Sequence, residues 1–354
     1  MKIAVIGWYG HQNAGDDRIL YCLRRFLADD ELLPVNGFAG LKEQWKEING
    51  CDLVLFGGGG LILRGTGKHA PLFKELRPPL ACIGISVESV HQDNIDLIEV
   101  LKDKCEFILV RDLGSQKAFG HHAKVVVGPD LTFLYPLEIV HTPVRDLCGV
   151  NFRPWRYWDA EHNSSFDLFM HRFNRRFPRI EKAYPLRKWR PHKAVSILQR
   201  HFRTLKPISL YNEPNRKSDT DVLEPFFDVP IPNFSVRQME DCGVIVSMRL
   251  HGLIFATQLG IPFVSLSYMP KNREFCRSIG LSKNSVELFD LADLDYRARR
   301  VKETWGPTRA KLIEMRARNQ NEITSLMSQL VPHNGARRSR SVEPAPNYGA
   351  KQSV

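Results

Sequence analysis

Asp52-Leu53-Val54-Leu55-Phe56-Gly57-Gly58-Gly59-Gly60 is the stretch from which the fold is read. Its unbroken apolar run predicts a buried strand, the kind found in parallel sheets, with glycine at its end. Glycine has no Cβ, so its backbone amides can lie directly against a ligand. Four in a row exceed what a tight strand-to-helix turn needs, which is the competing reading. Gly58 and Gly59 are therefore candidate binding residues.

Outward from this strand the same pattern recurs. Residues 2–6 form a buried strand, followed by a glycine-rich turn and a helix over about 16–28. Residues 80–85, 107–110 and 124–127 are further strands, with helical stretches near 91–104 and 113–119 between them. Strands alternating with helices make a parallel sheet with crossover helices. A second α/β pattern begins at 147–152 and continues through 207–211, 243–247 and 262–266. The chain thus divides into an N-terminal α/β domain (1–145), a C-terminal α/β domain (146–306) with an insert at 160–206, a helix (307–332) that has Pro307 in its first turn, and a tail (333–354). The tail holds Gly, Pro, Ser and Arg with almost no large apolar residues, which predicts disorder.

Length and composition fit this reading. At 354 residues the chain has room for two domains. Its 43% apolar and 25% charged residues exclude a mostly disordered, collagen-like or coiled-coil protein. Fifty Lys and Arg against 39 Asp and Glu give a net charge of +11, which favours anionic partners. That charge has an address: residues 171–206 carry twelve Lys and Arg against one acid, Glu181. The tail adds four against one, and the remainder is slightly acidic. The charge therefore belongs to the insert, and no known RNA-binding module accompanies it, so no nucleic acid is expected. Seven scattered cysteines without a CxxC pair read as reduced thiols of a cytoplasmic protein, with no zinc ribbon. The first residues lack the apolar stretch of a signal peptide, and no run approaches a membrane span. Within the insert, Phe166, Phe169, Met170, Phe173 and Phe177 fall at helical spacing with arginines between them. Such a segment either packs as an ordinary amphipathic helix or rests on an anionic membrane through 166–206.

Three further motifs suit anion chemistry. After the first strand, Asn13-Ala14-Gly15-Asp16-Asp17 opens a helix and places two carboxylates at its start, where Asp16 is either a working acid or base or a helix cap. Gly7-Trp8-Tyr9-Gly10 there does not match a dinucleotide fingerprint. Arg111, at the end of a strand, is suited to clamp a carboxylate or phosphate, or else to form a structural ion pair with Asp112 or a similar acid. In Ser247-Met248-Arg249-Leu250-His251-Gly252, a strand gives way to a helix. A fixed cation beside an imidazole at a helix N-terminus suits a phosphate whose leaving oxygen needs a proton. Lys271 follows the next strand. No His, Cys or Asp cluster has metal-ligand spacing.

Taken together and in order, these pieces resemble the polysaccharide pyruvyl transferase family. The resemblance rests on Asn13–Asp17, Asp52–Gly60, Val110-Arg111-Asp112 with Ser115, Gly128-Pro129-Asp130, Asn151-Phe152-Arg153-Pro154-Trp155, and Arg249-Leu250-His251-Gly252 through Gly260-Ile261-Pro262 to Lys271. It implies two Rossmann-like lobes like those of the glycosyltransferase B fold. It also implies transfer of pyruvate from phosphoenolpyruvate, as donor substrate and without a further cofactor or metal, onto a sugar or lipid-linked oligosaccharide. By this resemblance Arg249 and His251 hold the phosphate, and Arg111 with Lys271 holds the carboxylate. His251 is the acid, Asp16 the base, and Arg153 and Asn13 contact substrate. Met269 stands where the family often has an acid, and the insert and tail have no counterpart. The competing expectation is a nucleotide-sugar glycosyltransferase of the same architecture, using the glycine run for a diphosphate.

Overall fold

The computed structural model describes residues 1–88, 90, 92–154, 189–213, 218–232 and 236–331. The phenylalanine-rich stretch at 166–177 and the tail at 333–354 lie outside the described residues.

By contacts the chain forms two units. The first comprises Met1–Glu138, Leu210–Glu213 and the chain from Ile313; the second comprises Ile139–Ser209 and Pro214–Leu312. The first holds β1 (Lys2–Gly7), β2 (Glu31–Asn36), β3 (Leu53–Ile62), β4 (Leu80–Val87), β5 (Cys105–Val110) and β6 (Val125–Val127). They form one parallel sheet in the order β2-β1-β3-β4-β5-β6. Residues 3–6, 54 and 55 are fully buried, so both faces of the sheet are covered. That double burial is why these strands read as unbroken apolar runs.

The second unit holds β7 (Val144–Asn151), β8 (Thr204–Pro207), β9 (Cys242–Ser247), β10 (Phe263–Ser267) and β11 (Ser285–Glu287). Their order is β11-β10-β9-β7-β8, again parallel. The helix Pro191–His201, from the described part of the insert, buries Ala194, Val195, Ile197 and Leu198 on one face. The long helix is Trp305–Leu330. Among the described residues no helix is long and apolar enough to cross a membrane.

Three features depart from the sequence reading. β2 was not anticipated, because Glu31-Leu32-Leu33-Pro34-Val35-Asn36 contains a proline; proline is admissible here because β2 is an edge strand. The glycine run is not a loop after β3 but part of it. Gly57, Gly58 and Gly59 have φ of +145°, +76° and +113°, and β3 resumes its pairing at Ile62 after a register shift. The expected strand at 207–211 is also divided. β8 ends at Pro207, and Tyr211 instead forms an antiparallel bridge with Asn13 in the first unit. There Ala14 N donates to Leu210 O (3.0 Å) and Asn212 N to Gln12 O (3.1 Å). These are contacts between residues roughly 200 positions apart, which local periodicity cannot reveal.

Candidate functional site

In the second unit the carboxyl ends of β7, β9 and β10, neighbours in the sheet, carry the predicted residues. Ligands of open α/β sheets bind at such edges. β7 ends at Asn151, two residues before Arg153. β9 ends at Ser247, and Arg249 is the N-cap of the helix Leu250–Leu259, with His251 in its first turn. β10 leads through Tyr268 and Met269 to the helix Pro270–Ser278, which begins with Pro270 and Lys271. Met269 is its N-cap and offers no side-chain cap, whereas an acid there would accept from the helix amides.

Hydrogen bonds lock this edge. Asn151 Oδ1 accepts from Ser247 Oγ (2.9 Å) and from Arg249 N (3.3 Å). Ser247 Oγ also accepts from Arg249 N at 3.1 Å. Asn272 Nδ2 donates to Met248 O at 2.8 Å, tying the β10 helix to the β9 turn. Arg153 Nη1 donates to Tyr268 Oη at 2.6 Å, and its guanidinium lies 4.8 Å from the centre of that ring. The Arg249 guanidinium meets Asp219. Nε donates to both carboxylate oxygens (2.9 and 2.7 Å) and Nη2 to Oδ1 (2.6 Å).

In the first unit Asn13, Asp16, Gly58 and Gly59 come together. The cap of the helix Ala14–Phe26 is Asn13, whose side chain accepts from Gly15 N at 3.3 Å, so Asp16 is not the cap. Asp16 is buried in the first turn, and its Oδ2 accepts from Asn13 Nδ2 at 2.6 Å. A Cβ on Gly59 would lie 2.8 Å from Asp16 Oδ1, and one on Gly58 would lie 2.4 Å from Ile19 Cγ2. The glycines thus admit the helix and its carboxylate against β3. Tyr9 Oη donates to Gly57 O at 2.8 Å. Burial, with the Asp16 charge adding to it, pushes the Tyr9 phenol well above its ordinary pKa, so it remains a donor.

A model of the polysaccharide pyruvyl transferase family matches residues 13–269. This chain belongs to that family. It is accordingly a transferase, and its fold is of the glycosyltransferase B kind. Solved structures similar to it include HepE from Anabaena in complex with UDP and glucose (TM-score 0.54, 11% identity, covering 93% of this chain and 100% of that one). Another is the UDP-GlcNAc 2-epimerase from Neisseria meningitidis bound to UDP-GlcNAc (TM-score 0.53, 11% identity, 94% and 100% covered). A third is the spinosyn rhamnosyltransferase SpnG (TM-score 0.50, 11% identity, 93% and 99% covered). At these identities the likeness is one of fold. No curated protein sequence matches the chain.

Two of the pyruvyl transferase motifs turn out to serve each other. Arg111 Nη1 donates to Asp130 Oδ2 at 2.9 Å, and its Nε donates to Ser86 Oγ at 2.6 Å. The two charged side chains are 5% and 4% exposed. Arg111 therefore forms the ion pair that was the competing reading, with Asp130 of Gly128-Pro129-Asp130 as partner rather than Asp112. Asp112 accepts from Ser86 Oγ (2.8 Å) and caps the next helix by accepting from Ser115 N (2.6 Å). The network braces the ends of β4 and β5. Asp130→Ala is expected to destabilise the protein by about 3–5 kcal/mol, because it strands a buried guanidinium. Denaturant unfolding checks this, and an unchanged midpoint would contradict it.

Asn151, Asp219 and Tyr268 are further residues of this edge, which they join through hydrogen bonds. For Asp219 the available signal is the Ser218-Asp219-Thr220-Asp221 capping box, which marks a helix start but not a partner. Among the described residues no group of three or more His, Cys, Asp or Glu side chains is arranged to hold a metal ion.

Proposed function

We propose that this protein transfers pyruvate from phosphoenolpyruvate onto two hydroxyls of a sugar, forming a cyclic ketal and releasing phosphate. The observation that carries this reading is the cationic edge of the second unit. Arg153, Arg249 and Lys271 are set at adjacent strand ends, with His251 in the first turn of a helix whose N-terminus favours negative charge. A donor with both a phosphate and a carboxylate needs separate cationic contacts of this kind. In this reading Arg249 and His251 hold the phosphate. The carboxylate goes to Lys271 and Arg153 rather than to Arg111, whose side chain is only 5% exposed in its pair with Asp130, whereas Arg249, though paired with Asp219, keeps 16% of its side chain exposed.

The chemistry follows from the donor. His251 delivers a proton to the methylene carbon, which leaves C2 electrophilic. A sugar hydroxyl adds to C2 as its proton passes to a base, for which we assign Asp16. The C2–O bond to phosphate then breaks, and the phosphate takes the electron pair. The second hydroxyl adds to C2 and loses its proton. One proton enters at carbon, two leave the hydroxyls, and the balance departs with the phosphate. Asn13, Gly58 and Gly59 flank the base. The acceptor in this reading is a sugar of a polysaccharide or of its lipid-linked precursor. The basic segment 166–206 rests on the anionic membrane that carries such a precursor, and co-sedimentation with anionic vesicles should be lost when 166–177 is deleted.

The second reading, a nucleotide-sugar glycosyltransferase, is favoured by the UDP held in similar folds such as HepE. Calorimetric titration separates the two. The ketal-transfer reading expects binding of phosphoenolpyruvate and none of UDP, whereas the reverse result would establish the second reading.

A further inference from the structure

We propose that Asp219 is a positioning residue that fixes the place and plane of the Arg249 guanidinium at the donor phosphate, a role that rests on the ketal-transfer reading above. Asp219 is fully buried, whereas the Arg249 side chain is 16% exposed. The anchored end of the pair is thus inside the protein, and the cation extends outward from it. The contact takes the Nε and Nη2 edge of the guanidinium. Contact along an edge fixes the plane as well as the distance, which a point contact does not.

The carboxylate is itself immobilised. Asp219 is the first residue of the helix Asp219–Leu223, whose start is a capping box between Ser218 and Asp221. Its Oδ2 also accepts from Asn151 Nδ2 at 2.9 Å. That same Asn151 receives the backbone N–H of Arg249 through its Oδ1, so one side chain holds both ends of the arginine in register. Asn151 is 1% exposed and Ser247 is fully buried, so the frame around the carboxylate is buried throughout.

Stability alone does not explain the arrangement, because a buried ion pair is on balance close to neutral against an apolar replacement. Attraction of the donor does not explain it either. The Asp219 charge offsets that of Arg249 and weakens its pull on an anion. What the pair supplies is a cation held in one place, the condition under which electrostatic stabilisation of a reacting group is effective.

Two opposed consequences make the role measurable. Removing the carboxylate raises the local positive potential, so donor binding should hold or tighten. It also frees the guanidinium to move, so turnover should fall. Asp219→Asn keeps the shape and removes the charge. Asp219→Glu keeps the charge and displaces the carboxylate by one methylene. Phosphate release from phosphoenolpyruvate with a sugar acceptor should show, for Asp219→Asn, a KM for the donor that is unchanged or lower and a kcat reduced about 10²-fold, the scale of a misplacement of about 1 Å. Asp219→Glu should also lose kcat although its charge is intact. Thermal unfolding of each variant, with kcat taken per folded protein, separates this from a loss of fold. A wild-type kcat in the folded Asn variant, full recovery in the Glu variant, or a raised KM with kcat intact would each overturn the positioning role. Wild-type protein that releases no phosphate from phosphoenolpyruvate with any acceptor would overturn the ketal-transfer reading, and the positioning role with it.

Discussion

His251→Ala is expected to lower kcat for phosphate release by about 10²–10⁴-fold, the range contributed by a positioned general acid. His251 is in the first turn of the helix Leu250–Leu259, directly after the cap residue Arg249, with its ring centroid 5.9 Å from that of Phe255. The frame that holds the neighbouring Arg249, formed by Asn151, Ser247 and Asp219, does not include His251, so the substitution should leave the fold and the Arg249–Asp219 pair in place. Arg249→Ala is a poorer probe, because it strands the buried Asp219 carboxylate and loses stability along with activity. His251→Asn sharpens the result. It retains a hydrogen-bond donor for the phosphate and abolishes the transferable proton, so it should be nearly as inactive as the alanine variant. Near-normal kcat in His251→Asn would show that the imidazole only binds.

Gly57→Ala should produce a large loss of stability. A Cβ at Gly57 would lie 2.1 Å from the Ile83 carbonyl oxygen, and the residue has φ of +145°. The obstructing atom is backbone of the paired strand, in register Gly57↔Ile83, so relief requires the sheet to part. Overpacking and an unfavourable φ each cost about 1–3 kcal/mol, which together give about 2–6 kcal/mol. The unfolding midpoint should then fall by around 10 °C, at about 2–4 °C per kcal/mol for a unit of this size. Gly10→Ala is the control. Its φ is +76°, but nothing lies within 4 Å of its Cβ position, so only conformational strain of about 1 kcal/mol applies. Equal losses in the two variants would contradict the packing argument.

The contrast bears on how the glycine run is read. Its length points to something beyond a turn, and two of its members do serve packing. Gly57 admits Ile83 of β4, and Gly58 admits Ile19 of the first helix. Gly59 meets the candidate base Asp16. The sequence shows the need for absent side chains but not which neighbour makes the demand.

The same limit separates what was legible from what was not. Parallel strands such as β3 and β4 were visible because burial on both faces leaves an unbroken apolar run, a local property. The elements that carry the second-unit residues were visible because each follows a strand directly. Arg111 and Asp130 both lie in quoted motifs, yet their pairing depends on β5 and β6 lying side by side. Asp219 reaches Arg249 across 30 positions, and Tyr211 reaches Asn13 across nearly 200. Such pairings arise from the folded topology and leave no periodicity in the chain. The +11 charge is the converse case. It was legible by counting, but it belongs to residues 171–206 rather than to the strand ends where the candidate chemistry lies.

The central claim is most directly tested by incubating the full-length protein with phosphoenolpyruvate labelled with ¹³C at C2 and a panel of sugar acceptors. Inorganic phosphate and the carbon spectrum are then followed together. Ketal transfer predicts one phosphate released for each labelled carbon that moves from the enol position to a ketal position bonded to two sugar oxygens. Release of phosphate with the label appearing in free pyruvate, or no release with any acceptor, would contradict it.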